Sequence, residues 1–200
     1  MRRRAWTLPE ALLALSLFSL VGLVVLGALR GAMRLSAVQS RRATMQAQLL
    51  TSATRLEQDL QRATSQDIVY AVVSQVGVLA IHCRKAGPAG LTPEWEPAYR
   101  CYLWDQKSGR LWRKSCPPSP PGLTAPRTDR AQTPSSSELA SLAADLSQAN
   151  LLADGVSDFQ LTFLPGPLAQ IRLELKRDNP GGKGQDRQSV LKQLGLRNRL

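Results

Sequence analysis

The chain has a single histidine, His82, in 200 residues. Its Cys, Asp and Glu residues show no metal-ligand spacing, so a zinc-type centre has no basis in the sequence. An EF-hand is excluded on similar grounds: Asp178-Asn179-Pro180-Gly181-Gly182 lacks the ligand positions of a calcium loop and is expected to be a turn. Formal charge is missing from residues 11–29, a run long enough to cross a hydrocarbon core of roughly 30 Å at about 1.5 Å per residue. A good cleavage site is missing after that run. Gly27-Ala28-Leu29-Arg30 is a poor one and the apolar core is too long, which argues against a removable secretory signal. Acidic residues are few, 15 against 26 Lys and Arg, for a net charge of +11. Arg2, Arg3 and Arg4 stand just before the apolar run and satisfy the positive-inside rule. The N-terminus is therefore expected in the cytoplasm and everything beyond Arg30 on the far side of the membrane. There Cys83, Cys101 and Cys116, an odd number, imply one disulfide and one leftover thiol in an oxidising compartment.

Glu10 sits at the head of the apolar run. Burying an ionised carboxylate in a bilayer costs about 2.5–3.5 kcal/mol on insertion scales, so the residue calls for a partner. A simpler account is a carboxylate in the first turn of a helix beside Pro9, where the helix dipole favours it. A processing site better than the one after the run lies ahead of it, in the order Ala5-Trp6-Thr7-Leu8-Pro9-Glu10.

That order resembles the type IV prepilin family, the pilins and the pseudopilins of type II secretion systems. The family signal is a short basic leader ending in Gly or Ala, then an aromatic residue, then Glu at the fifth mature position. Ala5 stands here for the usual Gly and Trp6 for the usual Phe. The resemblance implies cleavage between Ala5 and Trp6 by a prepilin peptidase, with N-methylation of Trp6. It also implies that Glu10 of one subunit meets the amino terminus of a neighbour and sets the assembly register. A charge pair in an apolar medium attracts strongly, and either member left alone is costly. The domains expected are a leader (1–5), a transmembrane and assembly half-helix (6–30), an amphipathic half-helix (31–64) and a periplasmic β-rich domain (65–200).

The amphipathic half is read from periodicity. Met45, Leu49, Ala53, Leu56, Leu60 and Ala63 recur at helical spacing, while Arg55, Glu57, Asp59 and Arg62 fall mostly elsewhere. Its apolar stripe should cover a sheet. Gly22, Gly27 and Gly31 mark either bends or close helix packing. Strands are expected over 67–73, 77–83, 99–104 and 110–113, the last two joined by a turn at 105–109. Residues 117–134 hold six prolines and are expected to form a surface loop. Ser135 with Glu138 makes a capping box for a short helix presenting Leu139, Leu142, Ala143 and Leu146. Residues 159–163 and 171–175 alternate as a second hairpin about Leu164-Pro165-Gly166-Pro167. The fold class expected is α+β and pilin-like, with a long N-terminal helix packed on an antiparallel sheet.

The order of later motifs is similar to that of J-type minor pseudopilins and related minor pilins. Tyr102 precedes Gly109-Arg110-Leu111-Trp112-Arg113, then come LLADGVSDFQLTF over 151–163, IRLEL over 171–175, and Leu196-Arg197-Asn198.

The cysteines are paired by an assumed strand register. If Leu79, Ile81 and Cys83 share a face with Tyr99, Cys101 and Leu103, a Cys83–Cys101 bridge with Cys116 free is favoured. In the second hairpin Leu103 is expected opposite Leu111 and Cys101 opposite Arg113, with Cys116 beyond that register at the mouth of the proline-rich loop. A Cys101–Cys116 bridge follows instead if the second hairpin splays at its open end.

Asp145, Asp154 and Asp158 are close in sequence but come with no apolar pocket or partner base, so they are expected to be solvated loop carboxylates and the protein not an enzyme. No cofactor is expected. His82 is expected on a sheet face. Arg110, Trp112, Arg113 and Lys114 interleave charge with an aromatic, and residues 176–200 carry seven Lys and Arg against Asp178 and Asp186. Such a surface would suit nucleic-acid phosphates; a solvated face and a basic tail are the alternative. Two functional classes follow. One is a minor pilin or pseudopilin that initiates or caps a filament for secretion, piliation or DNA uptake. Its partners would be other minor subunits, the prepilin peptidase and the inner membrane. The other is a stand-alone, single-pass anchored periplasmic binding domain.

Overall fold

The computed structural model describes residues 7–85, 94–116, 126–178 and 184–196. It is an α+β protein with a long N-terminal helix and antiparallel sheets. Helix α1 runs unbroken through Leu8–Gln61, and a Cβ built on Gly22, Gly27 or Gly31 would meet nothing within 4 Å. The chain divides into two compact units, residues 1–44 and 45–200.

In the first unit α1 is apolar and bare. Leu12, Phe18, Leu23, Val24 and Met33 are all exposed. By length and composition this is a helix able to cross a membrane.

In the second unit, residues 45–61 of α1 lie on β-structure. A five-stranded antiparallel meander comprises β1 (Ile68–Val73), β2 (Val76–Arg84), β3 (Trp95–Asp105), β4 (Arg110–Cys116) and β5 (Asn150–Asp154), in that spatial order. A second sheet comprises β6 (Val156–Leu164), β7 (Leu168–Asp178) and β8 (Gln185–Gly195). Helix α2 (Ser136–Ala144) begins with the expected capping box: Glu138 N–H donates to Ser135 Oγ, and Ser135 N–H donates to Glu138 Oε2 at 2.7 Å. Strands β5 and β8 were not expected. Within the segment read as a basic tail, Gln185–Gly195 forms an edge strand, with Lys192 and Arg187 bonded to Glu57 and Glu174.

Two apolar clusters lie on opposite faces of the first sheet. On one, Met45, Leu49, Leu56 and Leu60 of α1 meet Leu79, Ile81, Tyr102, Phe159, Ile171 and Leu173. On the other, Leu139 and Leu142 of α2 cover Val78, Ala80, Tyr99, Cys101, Leu103 and Cys116. Strand β2 is buried on both faces, which is why its sequence is nearly continuously apolar. Each fully buried Leu or Ile contributes about 1.5–3 kcal/mol, so the stripe on α1 is a main source of the unit's stability.

Turns set the register. The β1–β2 hairpin closes through Ser74 and Gln75, both at positive φ (50° and 69°), as a two-residue turn of the primed type requires. Between β3 and β4, Asp105 pairs with Arg110, which puts Tyr102 opposite Arg113, Leu103 opposite Trp112 and Cys101 opposite Lys114. The hairpin is thus shifted by one residue from the expected pairing, because the turn takes Gln106 to Gly109 and leaves Gly109 at φ 64°. Gly155 (φ 79°) carries the chain from one sheet to the other: its carbonyl accepts from Lys176 N–H, and a Cβ there would lie 2.8 Å from Lys176 O.

Candidate functional site

At its N-terminus α1 is capped from within the chain. Thr7 N–H and Thr7 Oγ1 both donate to Glu10 Oε2 at 2.9 Å, and Ala11 N–H donates to Thr7 O. A carboxylate three residues into a helix takes this position readily, because it satisfies a backbone donor the helix leaves orphaned. Ala5 and Trp6, the expected cleavage and methylation residues, lie outside the described residues. Beyond Glu10 the helix presents leucine, valine and phenylalanine on all sides, as suits a lipid environment or a bundle of like helices.

The second polar feature joins α1 to the sheet. Asp59 is buried among the leucines of α1, against its expected place on the polar side. It accepts from Tyr102 Oη at 2.7 Å and from Arg113 Nη2 and Nε at 2.8 and 3.1 Å. Burial raises the Tyr102 hydroxyl, and the nearby Asp59 carboxylate raises it further. Burial opposes the charge on Arg113, but the Asp59 carboxylate outweighs it and holds the guanidinium protonated. The Gly-x-Leu-x-Arg run thereby acquires a structural account: Gly109 turns the chain, Leu111 enters the core and Arg113 locks α1.

The basic residues of 110–114 are not gathered on one surface. Lys114 is buried on the opposite face, donating to Asp145 O at 2.6 Å and to its carboxylate at 3.1 Å. Arg110 is exposed and faces Asp154, and Trp112 packs against the α2 cluster. Asp145, Asp154 and Asp158 do not converge either, since each faces a different cation: Lys114, then Arg110 and Arg177, then Arg172. Hydrogen bonds from Ser147, followed by Lys114, hold the Asp145 carboxyl down at about 2.

His82 lies on a sheet face, fully buried. Its Nε2 donates to Glu96 O at 2.9 Å, and its Nδ1 accepts from Gln132 N–H at 3.3 Å. Residues 117–125 of the proline-rich stretch lie outside the described residues. The rest of it is fastened to the sheet through this histidine and through Trp95 N–H to Thr128 O. Asp67 accepts from Thr64 N–H, Thr64 Oγ1 and Trp95 Nε1, and so closes the passage from α1 to β1.

The favoured cysteine pairing does not form. Ala80 is opposite Cys101, so Cys83 faces α1 while Cys101 faces α2. A one-residue change of register puts a strand's side chains on the other face, and the assumed register was off by one. Among the described residues, no three His, Cys, Asp or Glu side chains form a metal-binding group. No protein-family model, characterised protein or solved structure matches the chain.

Proposed function

We propose that this chain is a structural minor subunit of a type IV pilus-like filament, most similar to the J-type minor pseudopilins of type II secretion. It acts by assembly, not by catalysis. One observation carries the reading. A single helix is bare and apolar over its first half, yet packs a leucine stripe on antiparallel sheets over its second. A subunit that waits in the inner membrane and is then drawn into a helical bundle needs both halves. The leader Met1 to Ala5 is removed, Trp6 becomes the methylated N-terminus, and Glu10 exchanges its bonds to Thr7 for the amino terminus of a neighbouring subunit. The C-terminal domain is periplasmic, and the partners are other minor subunits at the filament tip. Contact with DNA through residues 110–114 is not part of this reading, because Arg113 and Lys114 are held in intramolecular pairs on opposite faces.

One observation favours a second reading, the stand-alone anchored domain: Glu10 is already satisfied within its own chain. Intact-mass measurement of the membrane-extracted protein from a peptidase-positive cell separates the two. A chain beginning at Trp6 with one added methyl supports the subunit. A chain beginning at Met1, or cut after Ala28, overturns it.

A further inference from the structure

Strands β3 and β4 pair so that Cys101 lies opposite Lys114 and Cys116 opposite Tyr99. Residues two apart on a strand share a face, which makes Cys101 and Cys116 diagonal neighbours on the side beneath α2. Both are fully buried in one cluster with Tyr99, Leu103, Leu139 and Leu142. All three cysteines are free thiols in the structure, and Cys101 and Cys116 interact with each other within this cluster. Cys83 is across the sheet, its thiol donating to Asp59 O at 3.6 Å.

We propose that Cys101 and Cys116 are the site of an intrachain disulfide that ties the open end of the β3–β4 hairpin, with Cys83 remaining a thiol. The bond would fasten the end of β4, where the proline-rich stretch begins, to the centre of the sheet. Diagonal partners on one face come within reach of each other's side chains, and the shared face and shared cluster, with Cys83 on the other face, are what single out this pair.

The chemistry divides between the two thiols. The neighbouring Cys101 and the Lys114 ammonium both lower the Cys116 thiol, so it supplies the first thiolate. Burial pushes Cys83 up to about 12 and keeps it protonated. The oxidant is a disulfide, either that of an exported dithiol–disulfide oxidoreductase or glutathione disulfide. Cys116 thiolate attacks one of its sulfurs and the other leaves as thiolate, giving a mixed disulfide. Cys101 then loses its proton and attacks the Cys116 sulfur, and the oxidant's remaining sulfur departs. One S–S bond is made and one broken, two protons leave the cysteines, and two electrons pass to the oxidant, whose two sulfurs end as thiols. Because both sulfurs lie beneath Leu139 and Leu142, exchange precedes the seating of α2, which afterwards shields the bond.

The proposal rests on export of the domain only for the source of its oxidant, and the test separates the two. The full-length chain is reduced and unfolded in urea, then returned to native buffer in detergent with reduced and oxidised glutathione. It is next denatured, alkylated and mapped without reduction. The expected result is a linked Cys101–Cys116 peptide with only Cys83 alkylated, unchanged in Cys83→Ala. The bond should resist reductant in the folded chain and yield once urea is added. A linked pair containing Cys83, or three alkylated thiols, overturns the proposal. If the bridge forms in glutathione but protein taken from cells carries three thiols, the disulfide site stands and it is the exported location that fails.

Discussion

Arg113 of β4 grips Asp59 of α1 through three hydrogen bonds, the shortest 2.8 Å, with the Tyr102 hydroxyl on the same carboxylate. The two residues are 54 positions apart in sequence, so the pair forms only once the amphipathic half of α1 has docked.

Removing one partner strands the other. Asp59→Ala leaves Arg113 and Tyr102 facing an apolar helix, and the expected loss is about 3 kcal/mol, at the low end for a broken buried pair because Arg113 is partly exposed. The double change Asp59→Leu with Arg113→Met restores most of it. Urea unfolding followed by tryptophan fluorescence measures both; equal losses in the single and double variants would show that the charge pair is not the source.

Glu10→Ala should insert into the membrane as well as wild type, since it deletes a polar group from the apolar segment. It should lose crosslinks from its N-terminal helix to neighbouring subunits. Thr7→Val removes one of the two intrachain donors to Glu10 and should leave those crosslinks intact. Normal crosslinking in Glu10→Ala rules out the assembly role.

Gly155→Ala should destabilise the domain by about 2 kcal/mol, since a left-handed non-glycine residue costs about 1–2 kcal/mol before any clash. The added methyl also meets Lys176 O at 2.8 Å, a backbone atom that must shift. Gly166, also at positive φ but with open space around it, should pay only the conformational part when changed to alanine. Similar losses at the two sites would disprove the close-approach argument.

Acid sensitivity should report His82. Burial depresses its folded-state pKa below the ordinary value, despite the opposing Glu96 carbonyl and the Asp67 and Glu96 charges. The unfolded chain therefore takes up a proton first as pH falls. Stability from neutral His82 is present above about pH 6.5 and declines as pH drops toward the folded value. Protonation also costs Nδ1 its bond from Gln132 N–H. The difference in urea midpoint between wild type and His82→Gln should narrow from pH 7.5 to pH 5.5, and a constant difference would exclude the titration.

Much of the architecture was legible because it rests on local rules. The stripe from Met45 to Ala63 appears as a buried helix face, Ser135 and Glu138 form the capping box they imply, and the alternations at 159–163 and 171–175 become β6 and β7. Strand β8 was hidden because it is an outer strand exposed along most of its length. Its many polar side chains carry little apolar alternation to read. The β1–β2 turn was hidden because Ser74-Gln75 lacks the glycine or asparagine that usually marks positive φ.

The sequence by itself determined an apolar helix able to cross a membrane, an amphipathic continuation and a set of antiparallel hairpins, since hydrophobic period and turn residues act over a few neighbours. Tertiary structure alone decided which residues meet. Strand faces alternate with a period of two, so one-residue offsets in two hairpins, one that puts Ala80 opposite Cys101 and one that puts Tyr102 opposite Arg113, change which side chains share a face. Those registers part Cys83 from Cys101 and put Cys101 on one face with Cys116, while Lys114 and Arg113, as strand neighbours, take opposite faces in any register. Asp59 follows the same logic: helical spacing places it beside Leu56 and Leu60, but only the arrival of Arg113 and Tyr102 from β4 and β3 makes a carboxylate tolerable there, because a buried charge persists only where its partners are supplied.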